Sequence, residues 1–264
     1  MKLLNKKALV TGSSRGIGKA IVQQLAKEGA EVVIHYNENK SDSERVARAI
    51  KNAGGKAHLL QADLFDINQA IKLAEDAWNV MGRVDFLINN AGVSYKKHFL
   101  DTTIEDLDYF TNINFKSTLL LTRNITKKMV NSNVKGSVYT ITSVNGIQPG
   151  VGFSVYGATK GALETLMKGV ALELAPHNIK VNTFVLGGIE TDINAAIWQN
   201  SEKLKMVTDN IPMGRLGEPE EVASVICNLL ASDSYMTGST IKIDGGWLLK
   251  TGSQNPKMYS DENL

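Results

Sequence analysis

The 264-residue sequence predicts an α/β fold: a single doubly wound, Rossmann-type parallel sheet of seven strands with helices on both faces. Three observations predict it. Short apolar runs alternate with helical patterns along the chain, which is typical of parallel strands joined by helices. The first apolar run leads directly into a glycine-rich turn and a helix. Neither a linker nor an internal repeat divides the chain, so residues 1–264 are predicted to form one domain.

The N-terminal unit sets the pattern for the elements that follow. Ala8, Leu9 and Val10 form a short apolar run, and a helical pattern follows the glycine turn as far as Gly29. Residues 31–36 are predicted to form a second strand. A strand, a helix and a strand in this order form a βαβ unit, in which a right-handed crossover joins two parallel strands.

The same alternation continues toward the C-terminus. Further helices are predicted over residues 43–52, 68–81 and 103–131, from the segment carrying Tyr156 to 174, and over 218–230. Further strands are predicted over residues 57–61, 84–88, 137–141, 180–185 and 239–243. Residues 187–217 lack a regular pattern and are predicted to be a lid or substrate loop. The polar tail, 250–264, is expected to be loose unless a neighbouring subunit holds it.

Composition and charge argue against several classes of function. The formal net charge is +2 and the basic residues are scattered, so neither nucleic acid nor a membrane is an expected partner. The single cysteine, Cys227, is expected to be a buried core residue rather than a nucleophile. No metal-ligand spacing occurs, and most of the four dispersed histidines are expected to have surface or loop roles. The short, interrupted apolar stretches fit neither a signal peptide nor a membrane span, so a cytoplasmic protein is expected.

The strongest candidate for chemistry lies where a predicted strand ends at Ser143 and the following helix carries Tyr156 and Lys160. A separation of four residues puts the phenol and the ammonium on one helix face. A nearby ammonium lowers the pKa of a phenol and lets it act as a general acid or base. Ser143 is suited to hold a substrate oxygen, so proton transfer on oxygen is predicted. The same spacing recurs at Tyr36 and Lys40 in a polar segment, so the spacing alone is a weak signal.

Glycines between the first strand and the first helix predict a nucleotide site. Gly12, Gly16 and Gly18 permit a tight turn and the close approach of a phosphate, and the helix N-terminus offers free N–H groups. The second strand ends in Tyr36 and Asn37, without the acidic residue that binds the ribose hydroxyls of NAD.

The neighbouring charges favour one of the two nicotinamide cofactors. Arg15 could reach a 2′-phosphate, although it could also be an ordinary surface arginine, and Glu38 is expected to be solvated. NADP(H) is therefore favoured, with NAD(H) possible.

Polar residues after the next strands border the same edge of the predicted sheet. Asp63 could accept a hydrogen bond from adenine or cap the helix that follows it. Asn89 is suited to hold a loop, and Ala91 and Gly92 leave room for a cofactor. Asn114 lies in a predicted helix, where a polar side chain facing the sheet needs a partner such as a water or a catalytic lysine.

Together these motifs resemble the short-chain dehydrogenase/reductase family over about residues 6–247. Each motif is weak alone, but their order and spacing are specific. The matching pieces are TGSSRGIG at 11–18, Asp63, NNAG at 89–92, Asn114, Ser143, YGATK at 156–160, the loop around Thr191, and DGG at 244–246.

The resemblance implies an oxidoreductase that moves a hydride between nicotinamide and a ketone or secondary alcohol. It implies that Tyr156 is the general acid/base, that Lys160 lowers its pKa and binds the nicotinamide ribose, that Ser143 orients the substrate oxygen, and that Asn114 holds a relay water. The implied cofactor contacts are Gly12, Ser14, Arg15, Gly16, Ile17, Gly18, Tyr36, Asn37, Asp63, Leu64, Asn90, Ala91, Gly92, Tyr156, Lys160, Gly188, Ile189 and Thr191. Gly187 stands where the family usually has proline, which predicts a freer backbone beside the nicotinamide.

The resemblance leaves the substrate open between sugars or polyols, 3-oxoacyl thioesters and other small carbonyl compounds. The expected substrate contacts are Ser143, Asn145, Gln148, Phe153 and Tyr156, with Ser94 also in the pocket. Asn145 and Gln148 suit a polyhydroxy compound, whereas Ile147, Phe153 and Trp198 suit an acyl chain or a ring. An acyl carrier protein would need a basic patch, for which the candidates are Lys96, Lys97, Arg123, Lys127 and Lys128.

Two further expectations concern assembly and the alternative function. Family members are commonly tetramers, so a homotetramer built from the predicted helices at about 103–131 and 155–175 and the last strand is expected. A non-catalytic NADP(H)-binding sensor or scaffold is the alternative. Such a protein should have lost at least one of the four polar groups Asn114, Ser143, Tyr156 and Lys160, and all of them are present.

Overall fold

The computed structural model describes residues 1–232 and 234–250, and within them one seven-stranded sheet confirms the predicted fold class. Its strands are β1 Lys7–Val10, β2 Glu31–Tyr36, β3 Ala57–Gln61, β4 Phe86–Asn89, β5 Ser137–Ser143, β6 Lys180–Leu186 and β7 Thr240–Ile243. All pairs are parallel, in the order β3-β2-β1-β4-β5-β6-β7. Strands β2 and β3 lie on one side of β1, and β4 to β7 lie on the other. The strand order therefore reverses between β1 and β4, and a crevice is expected at the carboxyl ends of these two strands.

Helices cover both faces of this sheet. They are α1 Gly16–Lys27, α2 Lys40–Asn52, α3 Ile67–Met81, α4 Ile104–Phe110, α5 Ser117–Asn131, α6 Ser154–Leu174, α7 Ala195–Trp198, α8 Ser201–Thr208 and α9 Pro219–Ala231. Alternate side chains of each strand face opposite cores. Ala8 and Val10 pack into the core formed with α1, α2 and α9, whereas Leu9 packs into the core formed with α3, α5 and α6. Cys227 is buried in α9, as predicted.

The predicted helix over residues 103–131 is confirmed, but it contains a π-helical segment that was not predicted. This segment, Thr111–Lys116, lies between α4 and α5 and contains Asn114. The capping box that opens α4 joins Thr103 to Asp106, as the polar residues at the start of the pattern would suggest. The spacing of hydrophobic residues does not distinguish a π-helical turn from an α-helical one, so this segment could not be predicted. Turns of this kind often lie at functional sites.

The region 187–217 is more regular than predicted. It contains a 3₁₀ turn, Asp192–Asn194, followed by α7 and α8. The side chain of Asn200 caps α8 by accepting a hydrogen bond from the backbone N–H of Lys203 (3.0 Å). Helices of four and eight residues are too short to show a clear periodic pattern. The predicted polar tail, apart from Lys250, lies outside the described residues.

The part of the chain that the structure describes contains neither a membrane-spanning helix nor a cluster of metal-binding side chains. No helix there is long and apolar enough to cross a membrane. No cluster of three or more His, Cys, Asp or Glu side chains there could hold a metal ion.

Candidate active site

A cavity of about 1100 Å³ lies at the carboxyl edge of the sheet. It extends from the ends of β2 and β3, past the glycine turn after β1, to the ends of β5 and β6 and the lid helices. All the predicted catalytic and substrate side chains except Asn114 line it, as do all the predicted cofactor contacts except Gly18. The topology therefore brings together segments that are far apart in sequence.

The glycine turn after β1 forms a cradle that side chains would fill. Gly12 and Gly16 have φ values of +62° and +53°, which side chains rarely adopt. A Cβ on Gly18 would lie 2.4 Å from the carbonyl oxygen of Gly12 and 2.6 Å from Nδ2 of Asn90. No side chain caps the start of α1, so its N–H groups remain available to a ligand. The cradle suits the pyrophosphate of a dinucleotide.

His35 joins the glycine turn to the loop after β3, a role that sequence reasoning missed. Its Nδ1 accepts from the N–H of Gly12 (2.9 Å), and its Nε2 lies 3.0 Å from the carbonyl oxygen of Ala62. Its backbone also exchanges two hydrogen bonds with Ser13. This arrangement requires the neutral ring with a proton on Nε2. Its place in the buried strand β2 was the available signal against a surface role.

Protonation of His35 is expected to weaken both the fold and the cradle. Burial lowers the pKa of His35 from 6.5 to about 4, so the unfolded chain takes up the proton first as the pH falls. The loss of stability begins below the unfolded value and is complete below about pH 4, and it amounts to about 3 kcal/mol.

The test compares urea unfolding of the wild type and of His35→Asn between these two pH values. The wild type should lose about 3 kcal/mol more than the variant, which lacks the titrating ring. His98→Asn, at an exposed site, should behave as the wild type. Equal losses in all three proteins would contradict the assigned role.

The adenosine end of the cavity contains both charged residues considered from the sequence. Arg15 and Glu38 are both exposed and both line the cavity, as do Tyr36 and Asn37 at the end of β2. Asp63 does not cap the following helix, which corrects one of the two readings of that residue. Its Oδ1 accepts from the N–H of Phe65 (2.9 Å), and Asp66 caps α3 instead.

The loop after β4 is tied to the glycine turn. The side-chain amide of Asn90 donates to the carbonyl oxygens of Thr11 (2.9 Å) and Gly12 (3.1 Å). The hydroxyl of Thr11 accepts from the N–H groups of Asn90 and Ala91. Asn90 therefore acts on the cradle chiefly by holding its backbone.

Asn114 has its hydrogen-bond partners in this same loop and in α6. Its Oδ1 accepts from the N–H of Val93 (2.8 Å), and its Nδ2 donates to the carbonyl oxygen of Val93 (3.0 Å) and to Thr159 (3.3 Å). A Cβ on Gly92 would lie 3.1 Å from Oδ1 of Asn114 and 3.2 Å from Nζ of Lys160. Glycine at this position therefore leaves space between the amide and the ammonium.

Tyr156, Ser143 and Lys160 meet on one wall of the cavity. Ser143 and Ser94 line the cavity with Tyr156, and the hydroxyls of both interact with its phenol. The ammonium of Lys160 is buried, donates to the carbonyl oxygen of Ile141 (3.1 Å) and lies 5.9 Å from the centre of the Tyr156 ring. Ser94, named from the sequence only as a pocket residue, thus belongs to the same cluster of side chains.

The pKa of the Tyr156 phenol is not shifted in the direction that the sequence predicted. Burial raises the pKa of the Tyr156 phenol, and the two serine hydroxyls oppose that rise. Burial also lowers the pKa of Lys160 to about 8. The expected lowering of the phenol pKa by the lysine is therefore not the dominant effect, because desolvation disfavours both the phenolate and the ammonium.

The substrate end corrects two predictions and adds a residue. Ile147 does not line the cavity and is exposed. Trp198 does not line the cavity, because its indole N–H donates to the carbonyl oxygen of Thr191 (2.9 Å) and so holds the lid together. Trp247 lines the wall instead, 3.5 Å from the Cβ position of Gly188. Asn145, Gln148 and Phe153 line the cavity near Tyr156, as expected.

Gly187 explains the departure from proline after β6. Its N–H donates to the carbonyl oxygen of Ile243 (3.0 Å), a bond that proline lacks the hydrogen to make. A Cβ on Gly187 would lie 2.7 Å from Cα of Asp244. The N–H of Gly217 also donates to the carbonyl oxygen of Gly188 (2.9 Å). The prediction of a freer backbone is therefore wrong, since close packing and two hydrogen bonds hold this wall.

The predicted basic patch does not assemble at the cavity mouth. Lys96 lines the cavity, but Lys97 pairs with Asp106 (3.2 Å). Lys128 lies over the Trp78 ring of α3, at 5.9 Å from its centre. Of the five candidate basic residues, only Lys96 therefore lines the cavity.

Comparisons with known proteins agree with this geometry. Residues 12–248 match the family model described as Enoyl-(Acyl carrier protein) reductase. The chain is 39% identical over 251 residues to the 3-oxoacyl-[acyl-carrier-protein] reductase of Aquifex aeolicus, covering 93% of this chain and 98% of that protein. It is 34% identical over 245 residues to the L-rhamnose 1-dehydrogenase (NADP(+)) of Thermoplasma acidophilum, covering 92% and 96%.

Solved structures extend the similarity to three dimensions. A short-chain dehydrogenase/reductase from Serratia marcescens superposes with a TM-score of 0.88 at 34% identity, covering 94% of this chain and 99% of that one. A putative NAD(P)-dependent gluconate 5-dehydrogenase from Beutenbergia cavernae, with bound NADP, has a TM-score of 0.88 at 32% identity and covers 94% and 98%.

Proposed function

Because the chain belongs to the short-chain dehydrogenase/reductase family of NAD(P)(H)-dependent oxidoreductases, we propose that it moves a hydride between NADP(H) and a ketone or secondary alcohol on a small molecule. One observation carries the proposal: Ser143, Tyr156 and Lys160 meet in the cavity that also contains the glycine cradle. A non-catalytic sensor or scaffold would have no use for a buried lysine beside a phenol, so that alternative is disfavoured.

The proposed mechanism divides the work among these side chains. When bound, the nicotinamide ring supplies or accepts the hydride. Tyr156 gives its proton to the substrate oxygen during ketone reduction and removes it during alcohol oxidation. Burial keeps the phenol protonated near neutral pH, which suits the acid role. Ser143 donates a hydrogen bond to the same oxygen, and Lys160, charged below about pH 8, stabilises the phenolate. Asn114 keeps the loop at Val93 beside them, and its share in a proton relay rests on the family resemblance.

NADP(H) is the proposed cofactor, held by the contacts predicted from the sequence. Arg15 lines the cavity, and so do Tyr36 and Asn37 at the end of β2, where an NAD-binding protein carries an acidic residue. The named specificity of the Thermoplasma dehydrogenase and the NADP in the Beutenbergia structure support the same choice.

Arg15→Gln is expected to raise KM for NADP+ by about 10- to 100-fold, the range for losing a charge-assisted hydrogen bond. KM for NAD+ should change by less than about 3-fold, since NAD+ has no 2′-phosphate for Arg15 to contact. Lys19→Gln is the matched control, because Lys19 is exposed on α1 and does not line the cavity. Steady-state kinetics with both cofactors measure the ratio of KM for NADP+ to KM for NAD+. An equal rise in both KM values would contradict the assignment of Arg15 to the 2′-phosphate.

The activity itself is tested by a two-way screen. NADP+ and NAD+ reduction would be followed with sugars, polyols and hydroxy acids, and NADPH oxidation with ketones and 3-oxoacyl thioesters. Turnover of at least one compound that is lost in a site variant would support the proposal. Tight NADP(H) binding without turnover of any compound would favour a sensor.

A homotetramer of a single-domain, cytoplasmic enzyme completes the proposal. An exposed apolar patch lies around the start of α4 and could be covered by another subunit. It consists of Phe99, Leu100 and Ile104, each at least 72% exposed. The strand β7 also has one open edge within the described sheet. Light scattering after gel filtration tests the assembly, and a monomer at micromolar concentration would contradict it.

A further inference from the structure

The cavity wall beside Tyr156 carries a lysine that the proposed mechanism does not use. Nζ of Lys96 lies 5.8 Å from the centre of the Phe153 ring, and that ring is 6.0 Å from the Tyr156 ring. The Cβ position of Gly152 is 3.4 Å from Cβ of Lys96, and the N–H of Lys97 donates to the carbonyl oxygen of Gly152 (2.9 Å). The backbone that carries Lys96 is therefore fixed against the loop that leads into α6.

The charge of Lys96 is not balanced by a carboxylate. None lies within 4.0 Å of its Nζ in residues 1–232 and 234–250. Asp106, the carboxylate that pairs with the neighbouring Lys97, also accepts hydrogen bonds from Tyr95 and Thr103. The Tyr95 hydrogen bond, the largest cause, helps hold the pKa of Asp106 well below its usual range. The carboxylate of Asp106 is therefore ionised, but it is already bonded to Lys97, Tyr95 and Thr103 rather than to Lys96.

The acidic residues that line the cavity lie toward its other parts. Glu38 and Asp63 line its adenosine end. Asp192, in the 3₁₀ turn before α7, also lines the cavity, and the neighbouring Thr191 contacts the glycine turn, with its Cγ2 3.4 Å from the Cβ position of Gly16. A second lysine, Lys203 of α8, also lines the cavity. Apart from Lys160, which the proposed mechanism already uses, Lys96 is thus the charged side chain that measured contacts place beside the Tyr156 and Phe153 rings.

From this charge distribution we infer that the substrate is a small hydroxylated carboxylate. Its carboxylate pairs with Lys96 while its ketone or secondary alcohol meets Tyr156. Hydroxyl groups are matched by Asn145, whose Oδ1 is occupied by the N–H of Gly150 (2.9 Å), leaving Nδ2 as a donor. The inference rests on the proposed function and narrows its substrate class.

The test uses carboxylates paired with neutral compounds of the same length. D-gluconate would be compared with D-glucitol, and shorter hydroxy acids with their corresponding polyols, all with NADP+. The wild type should favour the best carboxylate by at least about 10-fold in kcat/KM. Lys96→Met should reduce that kcat/KM by about 10- to 100-fold, mainly through KM, and leave the neutral compounds unchanged. Lys96→Arg should retain most of the preference.

The neighbouring residue supplies the matched control. Lys97→Met removes the same charge one position away, but from a lysine that already pairs with Asp106, so it should leave the carboxylate preference unchanged. A preference for neutral compounds, or a carboxylate kcat/KM that Lys96→Met leaves intact, would overturn the inference while the oxidoreductase activity stands.

A binding measurement separates this inference from the proposed function. Calorimetry would measure binding of the same carboxylates to the NADP+-loaded wild type and to loaded Lys96→Met. Binding that weakens by about 10-fold or more in the variant supports the inference even where no compound is turned over. Equal binding by the two proteins, or no binding of any carboxylate in the panel, overturns it.

Discussion

Tyr156→Phe is expected to reduce kcat for ketone reduction by about 1000-fold. The phenol is the group beside Ser143 and Lys160 that can give a proton to the substrate oxygen, and phenylalanine keeps the ring without that proton. The ring also packs against Phe110 (6.3 Å) and Phe153 (6.0 Å), contacts that the substitution preserves. The loss should therefore appear in the chemical step rather than in folding.

The distinguishing measurement is the dissociation constant of NADPH, followed by fluorescence. It should change by less than about 3-fold in Tyr156→Phe, well under the tenfold that 1.4 kcal/mol would produce. Tyr139→Phe is the matched control: this tyrosine is buried in β5 against Phe184 and does not line the cavity. Its kcat should stay close to that of the wild type. A Tyr156→Phe enzyme with undiminished kcat would refute the acid/base assignment.

Much of the fold could be predicted because both faces of the sheet are covered. A strand buried on both faces is apolar throughout, and four of the helices between the strands are followed closely by Gly29, Gly54, Gly82 or Pro176. The bounds predicted for β2 and β3, 31–36 and 57–61, agree with the observed strands for this reason. The local features that were not predicted are the short helices α7 and α8 and the π-helical geometry around Asn114, within a helix that was predicted.

In the candidate site, contacts between residues close in sequence could be predicted, whereas contacts between distant residues could not. Tyr156 and Lys160 could be paired from the sequence because one helical turn separates them. His35 could not be assigned to the cradle, since its partners Gly12 and Ala62 lie on other loops. Trp198 was misassigned because a tryptophan in a lid can contact either ligand or backbone, and here its indole binds Thr191.

Gly18→Ala is expected to be the most damaging change in the cofactor cradle. The added methyl group would lie 2.4 Å from the carbonyl oxygen of Gly12 and 2.8 Å from Cα of Ser13, so backbone must move. Nδ2 of Asn90 lies 2.6 Å from the same point, and moving it disturbs the hydrogen bonds to Thr11 and Gly12. Overpacking of this kind costs about 1–3 kcal/mol of stability. NADP(H) binding should weaken by at least about 30-fold, because the moved backbone forms the cradle.

Gly169→Ala is the control that separates this crowding from the general effect of a helical glycine. Both glycines lie in helices with ordinary φ, but nothing lies within 4 Å of a Cβ on Gly169 of α6. Alanine there should raise the free energy of unfolding by about 0.5–1 kcal/mol and leave the NADPH dissociation constant unchanged. Urea unfolding and NADPH titration of the two variants measure both quantities. If Gly18→Ala also gained stability and bound NADPH normally, the turn after β1 would not be the close-packed cradle that the dinucleotide requires.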